Sequence, residues 1–461
     1  MKHLLPKLPH KWLIFTVTAT GTFMATLDGG VVNVALPVMA KQFGADIENI
    51  QFVVSVYLLV ITCFLPIFGK LSDMYSRKKM YLGGFLLFGI GSLLCSLSGS
   101  LALMIVSRAL QGLGASAMMA NAQAVIAKAF TGKDRGRALG GVGAVVALGS
   151  LAGPAVGGFL IQHWGWPSVF WVNIPVCLLG IWRGVQIVPR FNPIAKVRMD
   201  IAGAGYFLLG SFLFLFALNE GPSKGWTSPL LLAAFALCVV FFMLFLRREK
   251  VSKTPFIGLS IFNIKAISYG YVVAVLGFMA IFTNAVLLPF YLTDIMHLDP
   301  VQIGLLLLPF PAALAVASPV SGVLSEKYSA RFITTAGLGF VLCGALLFAF
   351  IGDSPSYAYI VLAQLIMGTG SGTFQVPNNN TVISAAPKNK LGIVSSVNAL
   401  ARNAGMIMGI ALSVAVYAAV QGAYLRAGAA AQSAFLHGYQ AAMFFGAALA
   451  VAGGVFSLRR E

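Results

Sequence analysis

Long apolar runs, separated by short polar, basic or glycine-bearing turns, repeat along the whole sequence. A hydrocarbon core of about 30 Å is crossed by about 20 mostly apolar helical residues. Fourteen runs meet that need to within a few residues: Trp12–Pro37, Ile50–Phe68, Met80–Leu97, Leu101–Ile126, Ala138–Ile161, Ser168–Val188, Ile201–Leu218, Leu230–Leu246, Ala266–Leu292, Val301–Val323, Phe332–Ile351, Tyr357–Ala385, Ile393–Tyr417 and Tyr439–Leu458. The pattern predicts an all-α polytopic membrane protein with 14 transmembrane helices.

Composition points the same way. The chain has 461 residues, 59% apolar and 10% charged, with a mean hydropathy of +0.88, far from a soluble globular domain. Its first partner is therefore the lipid bilayer. The net charge of +18 does not indicate nucleic acid, because the Lys and Arg residues sit in short clusters between apolar runs instead of on one face. Those clusters orient the chain, since cytoplasmic loops carry the excess of Lys and Arg. With the amino terminus inside, only Lys41, Lys224 and Arg426 fall in outer loops and only Arg108, Arg402 and, near the cytoplasmic end of its run, Arg183 within spans; every other Lys and Arg is cytoplasmic. The even count of spans puts both termini in the cytoplasm. Lys2, Lys7 and Lys11 ahead of an apolar run resemble a secretory signal, but the run is long, carries Asp28 and precedes many others, so it reads as an uncleaved first span. Cys63, Cys95, Cys177, Cys238 and Cys343 lie singly in apolar segments without His neighbours, so they indicate packing, with no disulfide framework, no metal site and no cofactor.

One loop is written twice. "GKLSDMYSRKKM", residues 69–80, returns as "GVLSEKYSARF", residues 322–332. Pro66, Gly69, Leu71, Ser72, Asp73, Tyr75 and Ser76 align with Pro319, Gly322, Leu324, Ser325, Glu326, Tyr328 and Ser329, and the basic residues Arg77, Lys78, Lys79 and Arg331 follow. The first copy joins spans 2 and 3 and the second joins spans 10 and 11, so each marks the same point in a six-helix unit. Two six-helix bundles result, residues 1–190 and 256–461, with spans 7 and 8 inserted between them in residues 191–255. Both units start in the same orientation, which implies parallel repeats.

The first loop resembles the signature loop of the major facilitator superfamily through Gly69, Asp73, Arg77, Lys78 and Lys79, with Ser76 at the position of a glycine. "LDGGVVNVALP", residues 27–37, resembles the first-span signature of the superfamily's fourteen-span drug/proton antiporter branch, with Gly30 where that pattern has threonine. "SRALQGLGASAMMANAQAVI" and "ALGSLAGPAVGG" follow in order, so the likeness runs along essentially the whole chain. In the second of these, Gly149, Gly153, Pro154, Gly157 and Gly158 resemble the antiporter signature; small residues allow close helix contact and Pro154 removes one backbone bond. The resemblance implies gating roles for these residues and for the two loops. Gly69 would let helices approach closely, while Asp73 and Glu326 would favour a helix amino terminus or pair with basic groups. Purely topogenic basic loops remain the alternative for the lysines.

Ionisable groups inside spans are functional candidates by default. Asp28 lies about 24 Å into the first span at 1.5 Å per residue, in its outer half. It either exchanges a proton for cargo at one carboxylate or pairs structurally within the bundle. Arg108, followed by Gln111, is either the buried arginine that the resemblance links to proton movement or an interfacial arginine reaching headgroups. "GTGSGTFQVPNNN" in span 12 lacks the Lys-Ser/Thr of a phosphate loop, so Gln375, Asn378, Asn379 and Asn380 face either a cavity or a neighbouring helix. Arg402, beside Asn403 in span 13, either counters an acidic group or lines the cavity.

The resulting expectation is a proton-coupled multidrug efflux antiporter of the bacterial cytoplasmic membrane, a monomer that exports amphipathic cationic drug-like compounds by alternating access. Asp28 and Arg108 would couple protons, and Asp28, Asn33, Gln111, Gln375, Asn378, Asn379 and Arg402 would contact substrate. The alternative is a dedicated exporter of a metabolite, peptide or lipid-like molecule. A membrane enzyme would need paired carboxylates, a metal cluster or an activated nucleophile, and a channel would need a filter sequence; the chain has neither.

Overall fold

The computed structural model describes residues 8–130, 132–189, 200–225, 227–252, 259–387 and 391–460. These form helices and turns, with no strand among them. The first half comprises α1 (Leu8–Phe43), the short α2 (Ile47–Ile50), α3 (Phe52–Met74), α4 (Arg77–Ser96), α5 (Leu101–Ala129), α6 (Gly132–Trp164), the short α7 (Ser168–Trp171) and α8 (Asn173–Ile187). A pair follows, α9 (Ile201–Lys224) and α10 (Pro229–Val251). The second half comprises α11 (Lys265–Phe290), α12 (Pro300–Leu307), α13 (Pro309–Lys327), α14 (Ala330–Ala349), α15 (Tyr357–Ser384), α16 (Leu391–Arg426) and α17 (Ala431–Leu458).

Twelve stretches among the described residues are long and apolar enough to cross a membrane. The other two expected spans belong to α6 and α15, which are 33 and 28 residues long and carry glycine-rich faces packed between neighbours, α6 against α1 and α12 and α15 against α13 and α14. Twelve described stretches thus meet the span criterion, and α6 and α15 have the length of two more. The run Val301–Val323 is two helices instead of one, because Pro309 has no N–H to continue the ladder across Leu308. The loop expected between Tyr417 and Tyr439 is mostly helix; α16 and α17 are joined by a short turn in which Gly428 takes φ 83°. Four of the cysteines are buried as expected of packing residues, whereas Cys343 is exposed.

The loop repeat extends into the packing. In the first half α4 lies on α5, α3 on α5, α1 on α6 and α4 on α8; in the second, α14 lies on α15, α13 on α15, α11 on α16 and α14 on α17. Single contacts repeat as well. A Cβ on Gly91 would stand 2.6 Å from Gln111 Cα, and one on Gly344 would stand 2.8 Å from Met367 Cβ. A Cβ on Gly84 or Gly337 would meet the carbonyl oxygen of Gly114 or Gly370, each at 2.9 Å. Backbones this close exchange dispersion contacts that larger side chains would forbid.

The halves meet at the end where α1, α6 and α11 finish. There Gly158 packs on the Pro300 carbonyl, Gly304 on the Pro154 carbonyl, and Gln162 accepts from the Val301 N–H at 3.3 Å. Lys41 and Asp294 pair across the same seam at 3.5 Å. On the other seam Leu59, Val60 and Cys63 of α3, Leu218 of α9 and Ile407 and Ala411 of α16 form one apolar cluster, so α9 touches both halves. The two signature loops lie at the opposite end, where Tyr75 and Tyr328 are exposed.

Asp200 ties the inserted pair together. It caps α9 by accepting from the Gly203 N–H at 3.0 Å and receives the Arg248 guanidinium of α10 at 2.9 Å. Burial disfavours its charge, but Gly203, Arg248 and Ser252 outweigh that and hold the carboxyl below the usual carboxylate range.

Two stability measurements check this packing. Gly114→Val and Gly370→Val, whose added carbons meet the Phe88 and Val341 backbones, are each expected to cost about 1–3 kcal/mol, seen as a lowered melting temperature. Gly83→Val, which meets open space, is expected to leave it unchanged; equal losses would contradict the packing account. Asp200→Ala is expected to cost about 1 kcal/mol, the value of a lost cap. Because the folded carboxyl is depressed, that contribution is present above the ordinary value of 3.8 and disappears as pH falls through the folded value. A deficit that persists at the acid limit would contradict it.

Candidate functional site

Asp28 sits on α1 about 22 Å before its end at 1.5 Å per residue, in the half of the helix nearer the closed seam, and is only 2% exposed. A carboxylate at that depth is expensive unless it is paired and hydrogen-bonded. Two helices supply the partners, and a third braces them. Arg108 of α5 donates from Nη1 to Oδ2 at 2.6 Å; Gln111, one turn on, donates from Nε2 to Oδ1 at 2.9 Å; Asn173, at the start of α8, donates from Nδ2 to Oδ1 at 3.2 Å. Ser92 of α4 accepts from both Gln111 and Asn173, at 2.9 and 3.3 Å.

The guanidinium is held as firmly as the carboxylate. Its Nε donates to the Val53 carbonyl of α3 at 2.9 Å, its Nη1 also reaches Gln111 Oε1 at 2.6 Å, and its plane lies 4.1 Å from the centre of the Tyr57 ring. Arg108 is fully buried, which removes the reading of an interfacial arginine. Nη2 of Arg108 and Oδ1 of Asn173 have no hydrogen-bond partner among the described residues, so the network retains one unused donor and one unused acceptor. Such groups favour a site that rearranges or takes up water.

Among the described residues, the buried ion pair is confined to one half. Gln111 faces Gly91 as Met367 faces Gly344, which places Gln364 where the first half has Arg108. The Leu27 carbonyl faces Gly153 as the Met279 carbonyl faces Gly409, which places Ala280 where the first half has Asp28. Backbone packing is duplicated, and the ion pair is not.

The remaining expected residues divide into several places. Gly153 and Pro154 lie against Gly30 of α1, Gly157 against Val31, and Gly158 against α12, so the antiporter-like stripe is a three-helix contact at the closed seam. Asn33 is half-buried, with Oδ1 unpartnered, and it is not part of the Asp28 network. Gln375 donates to Ser371 of its own helix at 2.6 Å. Asn379 accepts from Asn398 of α16 at 2.8 Å. Asn378 is held elsewhere: it donates to the Gly270 carbonyl at 3.0 Å and accepts from Arg460 at 3.0 Å, a tether between α11, α15 and the end of the chain. Burial pushes the Arg460 guanidinium down to about 10. Among the described residues Arg402 forms no ion pair with an acidic group, and its Nε is unpartnered.

In the loops, a Cβ on Gly69 would meet nothing within 4 Å, so the close approach expected there is not made in this conformation. The cap of α4 is Ser76, which accepts from the Lys79 N–H at 3.5 Å. Lys78 donates to the Val185 carbonyl of α8 at 2.6 Å, and the Arg331 carbonyl accepts from Ser457 of α17 at 3.4 Å, each within its own half. Arg77 is also engaged. The side chains of Asp73 and Glu326 lie outside the described residues.

Sequence reasoning missed Asn173, Ser92, Tyr57 and the Val53 carbonyl. Asn173 carried a signal, an amide inside an apolar run; a serine, a tyrosine and a backbone oxygen carry none until the helices are placed.

Asp28→Asn and Arg108→Gln each strand one buried charge and are each expected to cost about 3–5 kcal/mol of stability. The double variant is expected to lose less than the sum by about 0.5–3 kcal/mol. Additive losses in melting measurements would contradict the pairing.

Residues 18–218 and 197–410 match the sequence profile of the Major Facilitator Superfamily. The chain is 35% identical over 412 residues to the riboflavin transporter RibZ of Clostridioides difficile, covering 88% of each protein. It is 32% identical over 410 residues to the multidrug resistance protein Stp of Mycobacterium tuberculosis, covering 88% of this chain and 76% of that one. Among solved structures, the POT family transporter PepTSo superposes with a TM-score of 0.71 at 15% identity, over 99% of this chain and 98% of that one, a likeness of fold. With its repeated six-helix packing and a family match along most of its length, this multi-pass membrane protein belongs to the Major Facilitator Superfamily, whose relatives named above are transporters.

Proposed function

We propose that the protein is a proton-coupled exporter of amphipathic organic compounds, of the fourteen-span drug/proton antiporter type. The observation that carries this reading is the ion pair Asp28–Arg108, fully enclosed at bilayer depth and present in only one of two otherwise repeated bundles. Packing alone gives no reason for it, because the second bundle repeats the neighbouring glycine contacts with Ala280 and Gln364 at the corresponding positions.

In this reading residues 1–190 and 256–461 rock about the two seams, and residues 191–255 ride along one of them. The excess of Lys and Arg at the end holding the signature loops makes that end cytoplasmic, with both termini there, in a bacterial cytoplasmic membrane. The closed end is then the outer one, and this conformation is loaded from inside. When the outer seam parts, water reaches Asp28. A proton taken up there removes the charge that holds Arg108, Gln111 and Asn173 around it, which loosens α1 from α5 and α8. Release of that proton on the inner side restores the pair. The protein works as a monomer, since each step uses groups of a single chain.

Cargo and proton do not meet at Asp28 in this conformation. Its two oxygens are already engaged by Arg108, Gln111 and Asn173, so a cationic drug finds no free carboxylate there. That observation favours the second reading of the cargo, a dedicated metabolite-like compound, over the lipophilic cation.

Everted vesicles with an acid interior test the coupling. Adding a compound of a panel containing ethidium, riboflavin and dansylglycine is expected to release protons for at least one of them. Asp28→Asn is expected to reduce that release at least tenfold. Unchanged proton release from the variant would refute the proposed role.

A further inference from the structure

The second half carries a cation deep within a described span. Arg402 lies on α16 about 16 Å from the start of that helix at 1.5 Å per residue, within a stretch long and apolar enough to span the membrane. One turn before it is Asn398, which donates from Nδ2 to Asn379 Oδ1 across to α15 at 2.8 Å. Gln375 stands one turn before Asn379. All four side chains are half-buried. Oδ1 of Asn398 and Nε of Arg402 are enclosed and have no partner.

Partly exposed polar groups at hydrocarbon depth do not face lipid; they are tolerated only where they line a water-filled cavity. Gly405 and Gly409, on the same face of α16 as Asn398 and Arg402, pack on Val275 and Met279 of α11, and Asn398 reaches across to α15. The patch therefore opens on the space between α11, α15 and α16, in the half opposite Asp28. The charge balance of that space follows: Asp28 and Arg108 cancel each other, whereas no ion pair is recorded for Arg402 among the described residues.

We propose that Arg402, with Asn379 and Asn398, forms an anion-selecting substrate subsite, and that the cargo is an amphipathic organic anion. Its acidic oxygen group sits on the Arg402 guanidinium, which offers several donors in a fixed fork. The Asn379 amide adds a donor, and Asn398 Oδ1 accepts from an N–H or O–H beside the anionic group. Apolar surfaces of the two halves hold the rest of the molecule. This inference rests on the exporter reading and names its cargo. It also sets the electrical character of the cycle: one proton inward for one monoanion outward moves two positive charges inward, so an inside-negative potential drives transport.

Three probes with one fluorophore separate the possibilities: dansylglycine, whose carboxylate adjoins an N–H; its uncharged amide; and dansylcadaverine, a cation. Equilibrium binding is measured by fluorescence titration of the full chain in lipid nanodiscs. Dansylglycine is expected to bind at least about tenfold tighter than the other two, the scale of a hydrogen bond to a charged group. Arg402→Gln is expected to remove that preference, Arg402→Lys to retain part of it, and Gly83→Ala, whose added carbon meets open space, to leave dansylglycine affinity within about twofold. The binding ranking separates this subsite from the coupling reading, whose loss appears in proton release from vesicles. Tighter binding of dansylcadaverine, no binding of dansylglycine, or an unchanged preference in Arg402→Gln would each overturn the proposal. Should Arg402→Gln fail to fold, the ranking of the three probes on the unaltered protein and on Arg402→Lys still decides it.

Discussion

A charged pair enclosed at bilayer depth is the constraint around which the first bundle is arranged. Desolvating two ions costs several kcal/mol each, and their attraction offsets this only when the remaining donors and acceptors are satisfied. The structure meets that condition with Gln111, Asn173, Ser92 and the Val53 carbonyl, drawn from four helices besides α1. Close glycine contacts let α4 and α5 approach near enough for these short side chains to reach. Remove the pair, and the same backbone survives, as the second bundle demonstrates with Ala280 and Gln364. The pair is thus an addition to a packing scheme that stands without it, which is why function is sought there.

The two halves divide the labour in the proposed account. One carries a carboxylate whose charge is switched by a proton; the other carries Arg402, whose charge is not switched and is directed at cargo. Between them lie the seams, with the glycine and proline stripe of α6 on one side and the α3, α9 and α16 cluster on the other. The stripe lets backbones slide against each other without side chains to disengage, a suitable surface for a rocking joint. The inserted helices α9 and α10 cover the second seam, and Asp200 with Arg248 keeps them together.

Most of the fold was legible in the sequence because the bilayer leaves the chain few options: apolar runs of sufficient length become helices, and basic loops mark one side. The repeated loop located the six-helix units, and the glycine pairs Gly84/Gly337 and Gly91/Gly344 extend it in three dimensions. What escaped was local. Helix ends overran the apolar runs, since the polar flanks of α1 and α16 continue the backbone ladder beyond the hydrocarbon. At the site, Asp28, Arg108 and Gln111 were visible as polar residues in apolar surroundings, but the choice between free and paired carboxylate depended on where α5 stands beside α1. Asn378 and Arg402 illustrate the same limit: both are polar residues in spans, yet one is a tether to Gly270 and Arg460 and the other has no ion pair among the described residues.

The most direct test of the central claim is whether Asp28 itself takes up the proton. Infrared difference spectroscopy on the protein in lipid, unaltered against Asp28→Asn, reads the protonated carboxyl stretch as pH is lowered. The account predicts a band that grows on acidification, is missing from the variant, and diminishes when Arg108 is able to re-form the pair at higher pH. Identical spectra from the two proteins across the range in which transport operates would contradict it.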